Sequence, residues 1–72
     1  MYLGTIRWFD DQAGSGVVAC RDLRVGDVSF ADTDICNVDF RRVSAGQEVT
    51  FYLRLTPSGL RATDVLILGA PS

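Results

Sequence analysis

Histidine and lysine are both absent from this sequence, and cysteine occurs only twice. Without histidine, the chain has no ordinary imidazole base for proton transfer. The carboxylates Asp22, Asp27, Glu48 and Asp64 are scattered over turns and outward strand positions, and none has an evident nucleophile as its partner. We therefore expect a protein that is not an enzyme and that uses no cofactor.

Cys20 and Cys36 are too few for a disulfide framework and lack any Cys-x-x-Cys spacing, so we expect two reduced thiols. No apolar run approaches the roughly 18 residues that a membrane-spanning helix requires. The N-terminus also lacks the basic and apolar segments of a signal peptide. These absences predict a cytoplasmic protein with no membrane partner.

The 72 residues suit one small domain, and we expect residues 1–72 to form a single one. Nine acidic residues stand against seven basic ones, all arginine, and the formal net charge is −2. This balance disfavours binding to nucleic acid by bulk charge, because non-specific affinity comes largely from neutralised phosphates. It leaves room for a local basic stripe.

Runs of β-branched and aromatic residues alternate with clusters of glycine, aspartate and proline, a pattern typical of strands and turns. No stretch has a convincing helical period. The pattern predicts five strands, at residues 2–10, 15–21, 25–31, 46–56 and 59–68. Short turns at 10–14, 21–26 and 56–59 predict hairpin connections between them.

Alternation along the strands separates an inward face from an outward one. The predicted core consists of Ile6, Val18, Cys20, Val28, Val49, Phe51, Leu53, Val65 and Ile67. This set suffices for one small closed sheet, and closure is the usual way for such a chain to avoid exposed edges. We expect an all-β fold, a closed barrel of five antiparallel strands.

The long connection, residues 32–45, joins the third and fourth strands, and Asp32 is suited to cap a single helical turn in it. The connection also carries oxygen ligands that could suit a hard cation, at Asp32, Asp34, Asn37 and Asp39. A calcium loop of the EF-hand type needs glycine where Asn37 stands and glutamate where Val43 stands. We therefore expect a solvated loop that binds no metal.

Four segments, in chain order, resemble the cold-shock domain family. GTIRWFDDQAGSG (4–16) is similar to its opening, where Gly-(Thr or Lys)-(Val or Ile)-Lys-Trp-Phe-Asn leads into Lys-Gly-Phe-Gly-Phe-Ile. VSFADTDI (28–35) resembles Val-His-Phe-Ser-Ala-Ile, AGQEVTFYL (45–53) resembles Glu-Gly-Gln-x-Val-x-Phe, and LRATDV (60–65) resembles Pro-Gln-Ala-x-Asn-Val. The resemblance implies an OB-fold-like barrel that binds single-stranded RNA or DNA.

In that family the second and third strands display aromatic rings on which bases stack. Such stacking contributes about 1 to 3 kcal/mol per base. This chain has Ser15 and Val17 in place of the family's phenylalanines, and Asp27 and Ser29 in place of its phenylalanine and histidine. The resemblance therefore implies weak or altered binding, with affinity lowered on the order of a hundredfold or more.

Other positions keep the aromatic or cationic residues of the family. The candidate nucleic-acid-binding residues are Arg7, Trp8, Phe9, Phe30, Phe40, Arg41, Arg42 and Arg61. Without the resemblance, a Trp-Phe pair in a small barrel is more often part of the core than of a binding surface.

A second hypothesis is a barrel that has lost nucleic-acid binding and contacts proteins, or a second copy of itself. It is favoured by the acidic balance and by the apolar run Val65–Leu68. If alternate residues of that run point inwards, Leu66 and Leu68 point outwards, where they predict a homodimer contact. The twist of the barrel or the loop 32–45 could instead cover them.

Overall fold

The computed structural model describes residues 1–36 and 43–68. Its strands are β1 (Tyr2–Asp10), β2 (Ser15–Cys20), β3 (Asp27–Ala31), β4 (Glu48–Thr56) and β5 (Gly59–Ile67). A short 3₁₀ turn, Asp32–Asp34, follows β3. All five predicted strands are confirmed, with ends that differ by at most two residues. Within the described ranges, no helix has the length and apolar character needed to cross a membrane.

The strands close into a barrel in the order β1-β2-β3-β5-β4, with β4 returning to β1. Neighbours along this ring are antiparallel except β3 and β5, which run parallel where Ser29 lies opposite Arg61. A ring with an odd number of strands cannot alternate direction all the way round. The predicted closed barrel is confirmed, and its uniformly antiparallel pairing is corrected at this one contact.

Two hairpin turns are stabilised by side chains at their first residues. Asp10 Oδ1 accepts hydrogen bonds from the backbone N–H groups of Gln12 and Ala13, at 3.0 and 3.3 Å. In the β4–β5 turn, the hydroxyl of Thr56 donates to the carbonyl oxygen of Gly59 at 2.8 Å. Both turns therefore have local polar residues that favour the reversal of the chain.

The 3₁₀ turn after β3 differs in one detail from the prediction. Asp32 is the first residue inside the turn, and Ala31 precedes it as the capping residue. The carboxylate that stabilises the turn belongs to Asp34, whose Oδ2 accepts the backbone N–H of Ala31 at 2.8 Å. The prediction of a cap at Asp32 is thus wrong, because the helical turn begins at Asp32 itself.

The barrel interior contains Ile6, Val18, Cys20, Val28, Phe30, Ile35, Val49, Phe51, Ala62 and Val65. Each large apolar side chain buried there contributes about 1.5 to 3 kcal/mol. The predicted core residues Leu53 and Ile67 pack against this cluster but are only partly buried. Leu53 lies where β4 has passed beyond its pairing with β1, which ends at Phe51. Both cysteines are free thiols, Cys20 buried and Cys36 exposed.

Candidate nucleic-acid interface

Trp8 stands on the outer surface because β1 contains a bulge. Ile6 lies opposite Val18, whereas Trp8 lies opposite the adjacent residue Val17, so Arg7 is the extra residue of β1. Regular alternation would send Trp8 inwards on the same side as Ile6. With the bulge, Ile6 is buried and Trp8 is 50% exposed. The bulge therefore presents an indole ring to solvent.

Gly16 lies on β2, between the strand positions of two aromatic residues whose rings stack on each other. It lies opposite Phe9 in β1 and Phe30 in β3, and those rings stack with centroids 5.8 Å apart at 21°. A Cβ atom at Gly16 would lie 2.4 Å from the carbonyl oxygen of Trp8 and 3.0 Å from the Phe30 ring. Close packing therefore requires glycine at this position, even though the flanking residues, Ser15 and Val17, are not aromatic.

Phe30 is not exposed to solvent, as a ring of an open stacking platform would be. It is 2% exposed and belongs to the core, while Phe9 is half-buried. Phe30 is two residues from the buried Val28 on β3, and strand alternation places both side chains inside. The same alternation, applied to β3 in the sequence, would have indicated this burial. A direct contact between Phe30 and a base stays a prediction, although in this arrangement the ring is covered.

A row of outward positions crosses the barrel from Trp8. Trp8 lies opposite Val17, Val17 opposite Ser29, and Ser29 opposite Arg61. We define the Trp8 face as the outward surface of β1, β2 and β3 that carries Arg7, Trp8, Ser15, Val17, Asp27 and Ser29. Within this set only Trp8 supplies an aromatic ring, so one side chain provides the stacking surface.

Arg7 and Asp27 form an ion pair on the Trp8 face. Arg7 Nε lies 3.0 Å from Asp27 Oδ1 and 2.9 Å from Oδ2, and the pair bridges β1 and β3 across β2. Both side chains are more than half exposed. Exposed pairs of this kind stabilise a fold by only about 0 to 1 kcal/mol. The pair is therefore easily broken, yet it cancels the positive charge next to Trp8.

Arg61, at the far end of the outward row, is also held by a carboxylate. Its Nε and Nη2 donate to Asp34 Oδ2 at 3.0 and 2.9 Å. The carboxylate of Asp34 is largely buried, whereas the Arg61 side chain is 42% exposed. The remaining candidates, Phe40, Arg41 and Arg42, lie outside the described residues.

Two further arginines pair with acids away from the Trp8 face. Arg21 contacts Glu48 at 3.3 Å, and Arg24 contacts Asp22 at 2.9 Å. Hydrogen bonds from the Arg24 side chain and backbone lower the pKa of Asp22, and the same side-chain contact raises the pKa of Arg24. Across residues 1–36 and 43–68, no cluster of three or more potential metal ligands occurs.

A polar cleft of about 350 Å³ lies between the β4–β5 hairpin and the 3₁₀ turn. We call it the hairpin cleft. Two of its residues, Arg54 and Thr63, are not among the candidates from the sequence. Its walls include Asp34, Arg54, Thr56, Pro57, Arg61 and Thr63. Arg54 lies directly opposite Arg61 in the hairpin register. That register follows from the turn at 56–59, which is the sequence signal that could have paired the two arginines.

Comparison with known proteins identifies one family. The model of the 'Cold-shock' DNA-binding domain matches residues 2–68. A cold shock-like protein CspA of Stigmatella aurantiaca is 38% identical over 66 residues, covering 90% of this chain and 94% of its own length. A cold shock-like protein CspA of Shewanella violacea is 34% identical over 65 residues, which cover 90% of this chain and 91% of that protein. A probable cold shock protein A of Mycobacterium tuberculosis is 36% identical over 62 residues, which cover 86% of this chain and 91% of that protein.

Proposed function

Because this chain belongs to the cold-shock domain family, we propose that it binds single-stranded RNA or DNA on the Trp8 face. The family's description as a DNA-binding domain supports nucleic acid as the ligand class. The observation that carries the proposal is the bulge that holds Trp8 half exposed beside Val17. An indole ring in that position offers one flat surface on which any base can stack.

The other binding residues would act around this ring. Arg7 and Arg61 provide guanidinium groups at either end of the outward row, and Phe9 is held beside Gly16 by its stack on Phe30. The proposed set also includes Phe40, Arg41 and Arg42. In this scheme Phe30 contributes by fixing Phe9, since its own ring is buried.

The proposed binding is weak, because most of the stacking surface is replaced. Ser15, Val17, Asp27 and Ser29 present small, aliphatic or acidic side chains on the Trp8 face. Each missing stack removes about 1 to 3 kcal/mol of binding free energy. A phosphate that approaches Arg7 must also displace the carboxylate of Asp27, which is a direct competitor for the same guanidinium. We expect dissociation constants in the micromolar range.

Titration with a pyrimidine-rich single-stranded octanucleotide at low salt tests this function. Trp8 is the single tryptophan of the chain, so its fluorescence reports directly on stacking. We expect quenching that saturates at micromolar concentration and weakens as salt is added, because phosphate contacts release counterions. A duplex of the same length is the control and should not quench. Absence of quenching at high micromolar octanucleotide would contradict the proposal.

One observation favours the second candidate function, self-association through β5. Leu66 and Leu68 point outwards as predicted, with exposures of 40% and 53%. Leu66 lies opposite Thr50, which in turn lies opposite Leu3 on β1. Leu3 on β1 and Leu66 on β5 therefore lie on the same outward face, on either side of Thr50 on β4. This arrangement supports a contact between two copies of the chain without engaging the Trp8 face.

Sedimentation velocity at rising protein concentration tests self-association. The dimer hypothesis predicts a concentration-dependent increase in sedimentation coefficient, which Leu66→Lys and Leu68→Lys together should abolish because they place charges in an apolar contact. Leu23→Lys is the control, since Leu23 is 93% exposed in the turn between β2 and β3. A wild-type protein that is still monomeric at about 100 μM would contradict the hypothesis, because most specific dimers have dissociation constants below that concentration.

A further inference from the structure

The charges of the hairpin cleft are incompletely balanced. Arg54 and Arg61 are cross-strand neighbours on β4 and β5, and like charges directly opposite each other on a sheet repel. Asp34 binds Arg61. Arg54 has no carboxylate partner among residues 1–36 and 43–68, whereas Arg7, Arg21, Arg24 and Arg61 each have one. Among the residues that the structure describes, the cleft therefore contains two guanidinium groups and one carboxylate.

Asp34 orients Arg61 and leaves part of it available. One oxygen, Oδ2, accepts Nε and Nη2 of Arg61 and the backbone N–H of Ala31, all within 3.0 Å. Because guanidinium has further N–H groups, Arg61 retains donors beyond those that Asp34 occupies. The hydroxyl of Thr63, another wall residue, has no hydrogen-bond partner in the described part of the chain. The donors of Arg54, Arg61 and Thr63 border one cleft.

This combination of donors matches a phosphate group. Arginine N–H groups form charge-assisted hydrogen bonds to phosphate oxygens, frequently two at once. An anion between Arg54 and Arg61 would relieve their mutual repulsion, which a neutral ligand would not do. The cleft is open and polar, so a phosphate could enter while still attached to a longer chain.

The hairpin cleft continues the outward row of the Trp8 face. Arg61 lies opposite Ser29 at the edge of that face and opposite Arg54 on the other side. Four strand-to-strand steps separate Trp8 from Arg54 along β1-β2-β3-β5-β4, about 19 Å along the sheet at ~4.8 Å per step. At about 3.4 Å per stacked nucleotide, an octanucleotide is long enough to cover this path.

We propose that the hairpin cleft binds a backbone phosphate of the same single-stranded oligonucleotide whose base stacks on Trp8, with Arg54 and Arg61 as the phosphate ligands. This inference rests on the proposed function. It adds Arg54 to the binding residues and extends the interface from β1, β2 and β3 onto β4. It also assigns Asp34 as the positioning residue that holds Arg61 at the cleft.

Arg54→Gln tests the inference against Arg21→Gln, which removes the same charge elsewhere. Arg21 pairs with Glu48, the first residue of β4. Glu48 is six residues from Arg54 on the same strand, about 20 Å along it, so Arg21 is paired at the opposite end of β4 from the cleft. We expect Arg54→Gln to weaken octanucleotide binding roughly fivefold more than Arg21→Gln. It should also reduce the steepness of the log–log salt dependence by about 0.7, the value for one phosphate on a single strand.

NMR of the arginine Nε–Hε groups of the wild-type protein provides the second measurement. Octanucleotide should shift the Arg54 and Arg61 signals, and inorganic phosphate at millimolar concentration should shift the same two signals more than those of Arg21. Equal effects of Arg54→Gln and Arg21→Gln, with Trp8 quenching intact, would overturn the cleft site and leave the proposed function standing. If Trp8 is not quenched, the proposed function fails and the shared-oligonucleotide inference fails with it. Shifts with phosphate alone would then identify a free-anion site.

Discussion

Replacing Ser15, Val17 and Asp27 together with phenylalanine should raise affinity for a pyrimidine-rich octanucleotide roughly tenfold or more. All three positions belong to the Trp8 face, where the closed barrel holds their backbone in place. The new rings would restore stacking surface beside Trp8. The loss of Asp27 would also release Arg7 from its ion pair and make its guanidinium available to a phosphate. Fluorescence titration of the variant and the wild type measures the change.

Two single variants separate these contributions. Asp27→Asn removes the charge that holds Arg7 without adding a ring, and it should give only a few-fold increase in affinity. Leu23→Phe adds an exposed ring in the β2–β3 turn, outside the Trp8 face, and should leave affinity unchanged. An unchanged affinity in the triple variant, shown to be folded by circular dichroism, would mean that missing aromatic rings do not limit binding.

Gly16→Ala should destabilise the protein by at least about 2 kcal/mol, because a methyl group at this position has no space. Its Cβ would overlap the carbonyl oxygen of Trp8, which is a backbone atom, and press on the Phe30 ring. Either β1 moves away from β2 or the Phe9–Phe30 stack opens. For a domain of this size, the expected fall in melting temperature is roughly 8 to 16 °C, measured by thermal unfolding.

Gly26→Ala is the matched control for this prediction. Gly26 has φ +73° and nothing within 4 Å of a Cβ added there, so alanine incurs the backbone cost of a left-handed conformation, about 1 to 2 kcal/mol, without a steric overlap. Gly16→Ala should therefore be clearly the less stable of the two variants. Similar melting temperatures would show that the sheet absorbs the methyl group and that Gly16 is not required for the stack.

Local sequence was sufficient to predict the strands and most of the core. Apolar residues repeat at every second position in the first half of β4, β2 is a short run of small apolar residues, and the polar residues Asp10 and Thr56 end β1 and β4. These signals act over a few residues, so they can be interpreted without the fold. The residues of the platform could also be compared with the family position by position, which identified Ser15 and Val17 as replacements.

Contacts between distant residues could not be predicted in the same way. The bulge at Arg7 reverses the inward and outward sides of β1, and it exists only through the register of β1 on β2. The parallel contact between Ser29 and Arg61 follows from closing an odd number of strands into a ring. The sequence identifies Asp27 as a replacement for one of the family's aromatic residues, but its pairing with Arg7 depends on the positions of β1 and β3 on either side of β2.

The sequence by itself thus determined an all-β chain of five strands, the kinds of side chain it can offer to a ligand, and its likeness to the cold-shock domain family. The tertiary structure decided which of those side chains reach a ligand. It exposes Trp8, buries Phe30, joins Arg7 to Asp27 and brings Arg54 beside Arg61. Composition and alternation are properties of neighbouring residues, whereas exposure and charge pairing depend on strand register, bulges and barrel closure, which join residues far apart in the chain.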